Sequence, residues 1–179
     1  MRPERAARRL LLVLGLVAAG GLRRTAPLDA QTVMPPIVEL TGGAMRYTLG
    51  ARRDGALAAL RLASPIVPLG RNHWLVEGGA GYAWYRAADG DLRHLFVPEL
   101  QLQLQVGPRA VQPYVGAGGG LALTRVDSTT TTKLTASAAV GVRLYAGGWG
   151  IGGEIRFRSR TVFDQSPREL TISLVRQLE

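Results

Sequence analysis

The sequence predicts an all-β fold in which eight antiparallel strands follow one another as an up-and-down barrel. Apolar and polar residues alternate from residue 37 onward, and a period of two sends successive side chains to opposite faces of a strand. Glycine accounts for 23 of the 179 residues, about twice its usual share. Segments rich in turn residues separate the alternating runs, as expected for a meander of strands.

The period of two places the strands in chain order. They are predicted over residues 38–48, 57–63, 73–85, 101–106, 114–124, 134–145, 149–158 and 170–178. The first three strands each put one charged residue opposite an apolar face, namely Glu39, Arg61 and Glu77. Because every second residue of a strand shares a face, these charges are expected to lie on one side of the sheet.

The fourth and fifth strands show the period in different ways. In the fourth strand Gln101, Gln103 and Gln105 alternate with leucines, and Glu99 lies on the same face. The fifth strand contains the glycine-rich run 116–120, which continues into a strand and lacks the helix and lysine of a phosphate-binding loop. Glycines in such a strand are expected to allow curvature and close side-chain approach.

The last three strands complete the ring. The sixth strand places Arg143 on its polar face, and the seventh places Glu154, Arg156 and Arg158 there. The eighth strand alternates leucine and isoleucine with threonine and serine. Polar connections are predicted over 51–55, 86–93, 125–133 and 159–168, alternating with proline- and glycine-rich ones over 64–72, 107–112 and 146–148. The two ends of the barrel are thus expected to differ.

The composition of the polar face indicates that it lines a lumen. It carries amides, small residues and few charges, and Lys133 is the single lysine of the chain, which is a poor surface for contact with water. The charges predicted to pair as a lumen network are four of each sign: Glu39, Glu77, Glu99, Glu154, Arg61, Arg143, Arg156 and Arg158. An eight-stranded barrel leaves room for its own side chains and little else.

Aromatic residues on the opposite face indicate a membrane. Trp74 and Trp84 are ten residues apart on the apolar face, about 33 Å along a strand and about 25 Å along the membrane normal when the strand is tilted. Trp149 and Phe157 bracket the seventh strand similarly. Core packing of these aromatics is the alternative. We therefore predict a transmembrane β-barrel with these four residues as interface aromatics.

The beginning of the chain predicts export. Four arginines precede a short apolar run that is too short to span a bilayer as a helix, which is typical of a secretory signal peptide. We predict a signal peptide over residues 1–30, a linker over 31–36 and a barrel domain over 37–179. Cleavage is expected after Ala30, although a site near residues 18–21 is an alternative.

From residue 37 onward the chain resembles the small outer-membrane β-barrel domain family, the eight-stranded barrels of the OmpA and OmpX type. The segments that carry the resemblance are 75–86, 101–125 and 136–158, together with the signal peptide. The resemblance implies location in the cell outer membrane, contact with outer-membrane lipid, help from the barrel-assembly machinery, and a monomer. The chain ends in Gln177, Leu178 and Glu179, where such barrels often end in an aromatic assembly signal.

The sequence offers little chemistry. No cysteine is present, and the two histidines are His73 and His94, which the meander places at opposite ends of the barrel. Lipid A deacylases, barrels of this size, use a serine two positions after the histidine, and here those positions hold Leu75 and Phe96. We therefore predict no catalytic residues, no cofactor and no metal.

Function is expected to be a non-catalytic structural or surface-contact role with a side-chain-filled lumen. A lipid-modifying membrane enzyme and a soluble, secreted, lipocalin-like barrel remain alternatives. The net charge of +9 does not indicate nucleic-acid binding, because the arginines are scattered among apolar segments.

Overall fold

Antiparallel pairing of consecutive strands builds the architecture. The computed structural model describes residues 34–49, 51–69, 72–86, 92–107, 110–126, 129–159 and 167–178. The strands are β1 (Ile37–Leu49), β2 (Ala51–Leu69), β3 (Asn72–Arg86), β4 (Leu92–Gln105), β5 (Val111–Val126), β6 (Thr129–Ala146), β7 (Trp149–Arg158) and β8 (Arg168–Gln177). Each strand pairs with the next, and β8 pairs with β1 to close the ring. The predicted eight-stranded antiparallel barrel is confirmed.

Several strands are longer than the sequence pattern indicated. Residues 51–55 and most of 64–72, predicted as connections, belong to β2, and β4 begins well before residue 101. Two residues separate β5 from β6 where the connection 125–133 was expected. The reason is that ladder hydrogen bonds join backbone groups, so pairing continues through polar residues that show no apolar alternation.

Local backbone features fit the residues that carry them. The register of β2 against β3 shifts between Pro65 and Val67, as expected because proline has no N–H for the ladder and favours a bulge. Gly147 has a φ of 65° in the turn between β6 and β7. Short hairpin turns require such positive φ values, which glycine adopts without steric cost.

Burial alternates along the strands with the predicted period. In β4, Val97, Glu99 and Gln101 are buried, whereas Phe96 and Leu100, on the opposite face of the strand, are exposed. The same alternation runs along β7 and β8. The buried side chains face the barrel axis, and the exposed aliphatic side chains form the outer surface.

An apolar cluster lies in the interior at each end of the barrel. We call the end with the β1–β2, β3–β4, β5–β6 and β7–β8 connections the loop end and the other the turn end. The cluster at the loop end contains Met45, Leu57, Ala83, Tyr85, Leu95, Val97 and Ala122. The cluster at the turn end contains Met34, Ile37, Ala63, Leu75 and Val175. Polar side chains occupy the interior between them.

Part of the predicted domain organisation falls on residues that the structure does not describe. The predicted signal peptide (1–30), its cleavage site and residues 31–33 of the linker lie outside the described residues. Among the described residues, no helix has the length and apolar character needed to span a membrane.

Candidate functional site

The interior of the barrel holds a cluster of ion pairs, which we call the lumen network. Its members are Glu39, Arg61, Glu77, Glu99, Arg143, Glu154, Arg156, Arg158 and Glu169, all buried. The structure thus places all eight charges that the sequence predicted for the lumen in one interior cluster. It adds Glu169, which the sequence pattern missed.

Arg156 contacts three carboxylates at the centre of the network. Its guanidinium lies 2.9 Å from Glu154, 3.0 Å from Glu99 and 3.1 Å from Glu77. The side chain projects inward from the second half of β7 and is 2% exposed. Because a guanidinium presents five N–H donors in a planar fork, one arginine can serve several carboxylates from different strands.

Arg143 joins the network to the amides of β4. It pairs with Glu39 and lies 3.4 Å from Glu77. It also donates hydrogen bonds of 3.0 Å each to the side-chain oxygens of Gln103 and Gln105. The amides therefore act as acceptors for a buried cation rather than as a water-facing surface, which explains why the fourth strand carries glutamines inward.

Tyr114 is a second interior group that the sequence did not single out. Its hydroxyl donates a 2.8 Å hydrogen bond to Glu154, which also accepts a 3.0 Å bond from Arg61. The guanidinium of Arg143 lies 4.1 Å from the centroid of the Tyr114 ring. The signal was present in the sequence, because Tyr114 shares the parity of the lumen-facing glycines of the fifth strand.

Glycines of β5 make room for the long side chains of β4. Gln101 faces Gly118 and Gln103 faces Gly116 in the strand register. A Cβ atom at Gly118 would overlap the backbone of Leu100 and Gln101. The glycine-rich run is thus a packing feature of a narrow barrel and not a phosphate-binding loop.

Dense pairing is what a dry interior requires. Moving an unpaired charge out of water costs several kcal/mol, and removing one partner of a buried pair costs about 3–5 kcal/mol. Together with the apolar clusters at both ends, the network places buried side chains along the interior. This arrangement can support closure of the barrel and exclusion of solutes.

The predicted interface aromatics all lie on the outer surface. Trp74 and Trp84 project from opposite ends of β3. Trp149 and Phe157 lie at opposite ends of β7, and an arginine of β8 lies over each ring. The guanidinium of Arg176 is 4.9 Å from the Trp149 ring centroid and that of Arg168 is 5.9 Å from the Phe157 ring centroid.

The two histidines are far apart, as the meander indicated. His73 pairs in register with Gln105 at the turn end, and His94 pairs with Trp84 at the loop end. The Tyr82 hydroxyl and His94 Nδ1 form a hydrogen bond of 2.6 Å on the outer surface. Among the described residues, no three or more histidine, cysteine, aspartate or glutamate side chains are grouped so that they could hold a metal ion.

His94 lines a groove on the outer surface at the loop end, which we call the outer groove. Its volume is about 640 Å³. It is lined by Tyr82, Leu92, His94, Phe96, Leu123, Arg125 and Thr130. Within the described residues, this lining contains neither the serine nor the carboxylate that a histidine hydrolase needs.

Comparison with known proteins identifies the fold. No protein-family model and no curated protein sequence matches the chain. Neisserial surface protein A (NspA) is similar in structure at a TM-score of 0.61 and 11% identity, covering 80% of this chain and 97% of that protein. The outer membrane enzyme PagL is similar at a TM-score of 0.56 and 14% identity, covering 79% of this chain and 99% of that protein. Ail of Yersinia pestis, solved with the heparin analogue sucrose octasulfate, is similar at a TM-score of 0.53 and 11% identity. The match covers 81% of this chain and 99% of that protein.

These similarities show the fold. The chain has the eight-stranded transmembrane barrel fold of small outer-membrane proteins, which confirms the resemblance inferred from its sequence. The same fold serves a surface protein, an attachment protein and an enzyme, so it does not by itself assign an activity.

Proposed function

We propose that the chain is an outer-membrane barrel without catalytic activity, with a closed lumen and a structural or surface-contact role. One observation carries the proposal: the charges of the lumen network face inward and the aliphatic side chains of the strands face outward. Arg143 is fully buried, whereas Leu134 and Ile172 on the outer surface are 74% and 73% exposed. A water-soluble barrel reverses this arrangement, because a continuous exposed aliphatic belt would drive its association.

The filled interior supports a role other than transport. Ions crossing the barrel would have to displace the apolar clusters at both ends and separate the pairs made by Arg156. Breaking such pairs costs several kcal/mol each. We therefore expect the closed state to persist in a lipid bilayer.

The loop end supports a surface-contact role. Strands β5 and β6 stay paired up to Val126 and Thr129, beyond Leu123, which pairs with Thr132. The outer surface of this extension carries Arg125 and Thr130, in place of the aliphatic residues nearer the middle of the barrel. A paired, polar hairpin that continues past the apolar belt offers a rigid contact surface to molecules outside the cell.

Cell fractionation combined with electrophoresis tests the proposed location and closed state. We expect the chain in the outer-membrane fraction, and we expect unheated samples to migrate differently from heated ones because a closed barrel resists detergent until it is heated. Recovery in buffer without detergent would contradict membrane insertion and would favour a lipocalin-like barrel.

Planar bilayer recording tests the closed lumen separately. The purified chain should show no stable conductance under conditions in which a sixteen-stranded porin, used as a positive control, conducts. A steady single-channel current from the purified chain would overturn the closed lumen and leave the membrane location intact.

A further inference from the structure

The outer groove lies at the level where the outer surface changes from polar to aliphatic. Trp84, His94, Arg125 and Thr130 follow one another across β3, β4, β5 and β6 in the strand register. The next row toward the middle of the barrel holds Tyr82, Phe96 and Leu123. The groove therefore has hydrogen-bonding groups along one side and an apolar side next to the aliphatic belt.

We propose that the outer groove binds a membrane lipid whose headgroup carries a phosphate. The inference rests on the proposed function, because it requires the outer surface to contact a bilayer. Arg125 and His94 would hold the phosphate, and the acyl chains would lie along Phe96 and Leu123. The occupant is thus a lipid of the leaflet on the loop side of the membrane.

The groups in the groove match the chemistry of a phosphate. Arginine presents a planar fork of donors suited to phosphate oxygens. When the Tyr82 hydroxyl donates to Nδ1 of His94, a neutral imidazole carries its proton on Nε2 and offers a further donor. No aspartate or glutamate is among the described residues that line the groove.

The apolar side of the groove selects a lipid over a free anion. Phe96 of β4 is 44% exposed on the outer surface. Leu123 of β5 is its partner in the strand register. Contact with acyl chains would remove this surface from the polar headgroup region and stabilise binding in proportion to the apolar area buried. A soluble phosphate makes no such contact.

Fluorescence quenching by brominated lipids tests the proposal on the full chain in vesicles. In the Trp74→Phe/Trp149→Phe variant the remaining reporter is Trp84, which pairs with His94. Brominated phosphatidic acid in phosphatidylcholine vesicles should quench Trp84 at a mole fraction about fivefold or more below that of brominated phosphatidylcholine. Adding Arg125→Gln and His94→Gln should remove this preference.

Two controls separate this inference from the proposed function. In the Trp74→Phe/Trp84→Phe variant, Trp149 at the turn end should be quenched by both lipids equally. Absence of quenching at Trp149 would contradict membrane insertion itself. Arg168→Gln changes an exposed arginine at the loop end but outside the groove, so it should leave the preference at Trp84 unchanged.

Three results would overturn the lipid site while leaving membrane insertion in place. The first is equal quenching of Trp84 by the two lipids. The second is relief of quenching by soluble glycerol phosphate, which would indicate a free-anion site. The third is protection of Trp84 from both lipids, which would indicate that a second copy of the chain covers the groove.

Discussion

Glu169 binds the guanidinium of Arg158 diagonally across strands β7 and β8, although Arg156 is its partner in the strand register. The Arg158 Nη2 atom donates a 3.3 Å hydrogen bond to the second oxygen of Glu169. Among the described residues, Arg158 also contacts Glu99 at 2.7 Å, whereas the ion pairs of Glu169 involve Arg158 alone. Among these ion pairs, removing Arg158 therefore leaves Glu169 without its partner, whereas removing Glu169 leaves Arg158 paired with Glu99.

This inequality predicts that Arg158→Met destabilises the barrel more than Glu169→Gln does. Loss of Arg158 leaves the buried carboxylate of Glu169 without its arginine, and we expect a loss of about 3 kcal/mol or more. Glutamine at position 169 still accepts a hydrogen bond from Arg158, and we expect a loss of about 1 kcal/mol. Urea unfolding of the chain in lipid vesicles, followed by tryptophan fluorescence, measures both values.

The comparison needs a variant that alters the same interior without touching an ion pair. Ser173→Ala on β8 is suitable, because Ser173 is a buried, uncharged residue on the same face of β8 as Glu169. It should change the free energy of unfolding by less than either charge variant. Equal losses for Arg158→Met and Glu169→Gln would show that Glu169 has support beyond Arg158.

Close contact between Gly141 and Tyr114 leads to a second prediction. A Cβ atom at Gly141 would overlap the Tyr114 ring, which lies directly opposite in the register. Gly141→Ala should therefore push the ring away from Arg143 and Glu154 and lower the stability by about 1–3 kcal/mol. The free energy of unfolding in vesicles is again the measurement.

Two further variants decide whether the ring is the cause. In a Tyr114→Ala background, Gly141→Ala should cost much less, because the overlap is gone. Gly153 faces outward on β7, where nothing lies within 4 Å of an added Cβ, so Gly153→Ala should be close to neutral. The same loss from Gly141→Ala with and without the Tyr114 ring would rule out the overlap.

The alternation of apolar and polar residues was sufficient to predict which side chains of the strands face the barrel interior. It placed Glu77 and Arg143 on the lumen side because alternation is a local property that the sequence displays directly. It did not assign Glu169 to the lumen because the predicted last strand begins at Leu170, where the apolar alternation becomes visible. Extending the period backward from Thr171 would have assigned Glu169 to the lumen.

Partner identities and strand ends could not be read from the sequence. That Arg156 contacts Glu77, Glu99 and Glu154 depends on the register and on the curvature of the closed sheet, which no single strand encodes. The ends of β2 were misplaced because its polar and proline-containing residues lack alternation. Backbone pairing continues through them because it needs no apolar side chain.

The outward aliphatic belt predicts a position-dependent cost of charge. Ile172 lies at the middle of β8 on the outer surface, and Ile172→Arg should reduce stability in vesicles by about 2–4 kcal/mol. Thr132 lies on the outer surface near the loop end of β6, and Thr132→Arg should cost about 0–1 kcal/mol. Equal costs at the two positions would contradict contact of the belt with hydrocarbon.

The single lysine of the chain provides a test of orientation. Lys133 lies near the loop end of β6 and its side chain is exposed. If the loop end faces the exterior, an amine-reactive biotin reagent that does not cross membranes should label the chain on intact cells. Streptavidin blotting of the purified chain measures the labelling.

A Lys133→Arg variant separates this label from the amino terminus of the chain, since arginine keeps the charge and lacks the reactive amine. We expect this variant to lose most of the labelling on intact cells. Disrupted cells should still show labelling of the amino terminus. Labelling of Lys133 only after disruption would place the loop end inside the cell envelope. In that case the polar β5–β6 hairpin could not contact molecules at the cell surface, and the surface-contact role would have to be abandoned while the barrel and its lumen network remained.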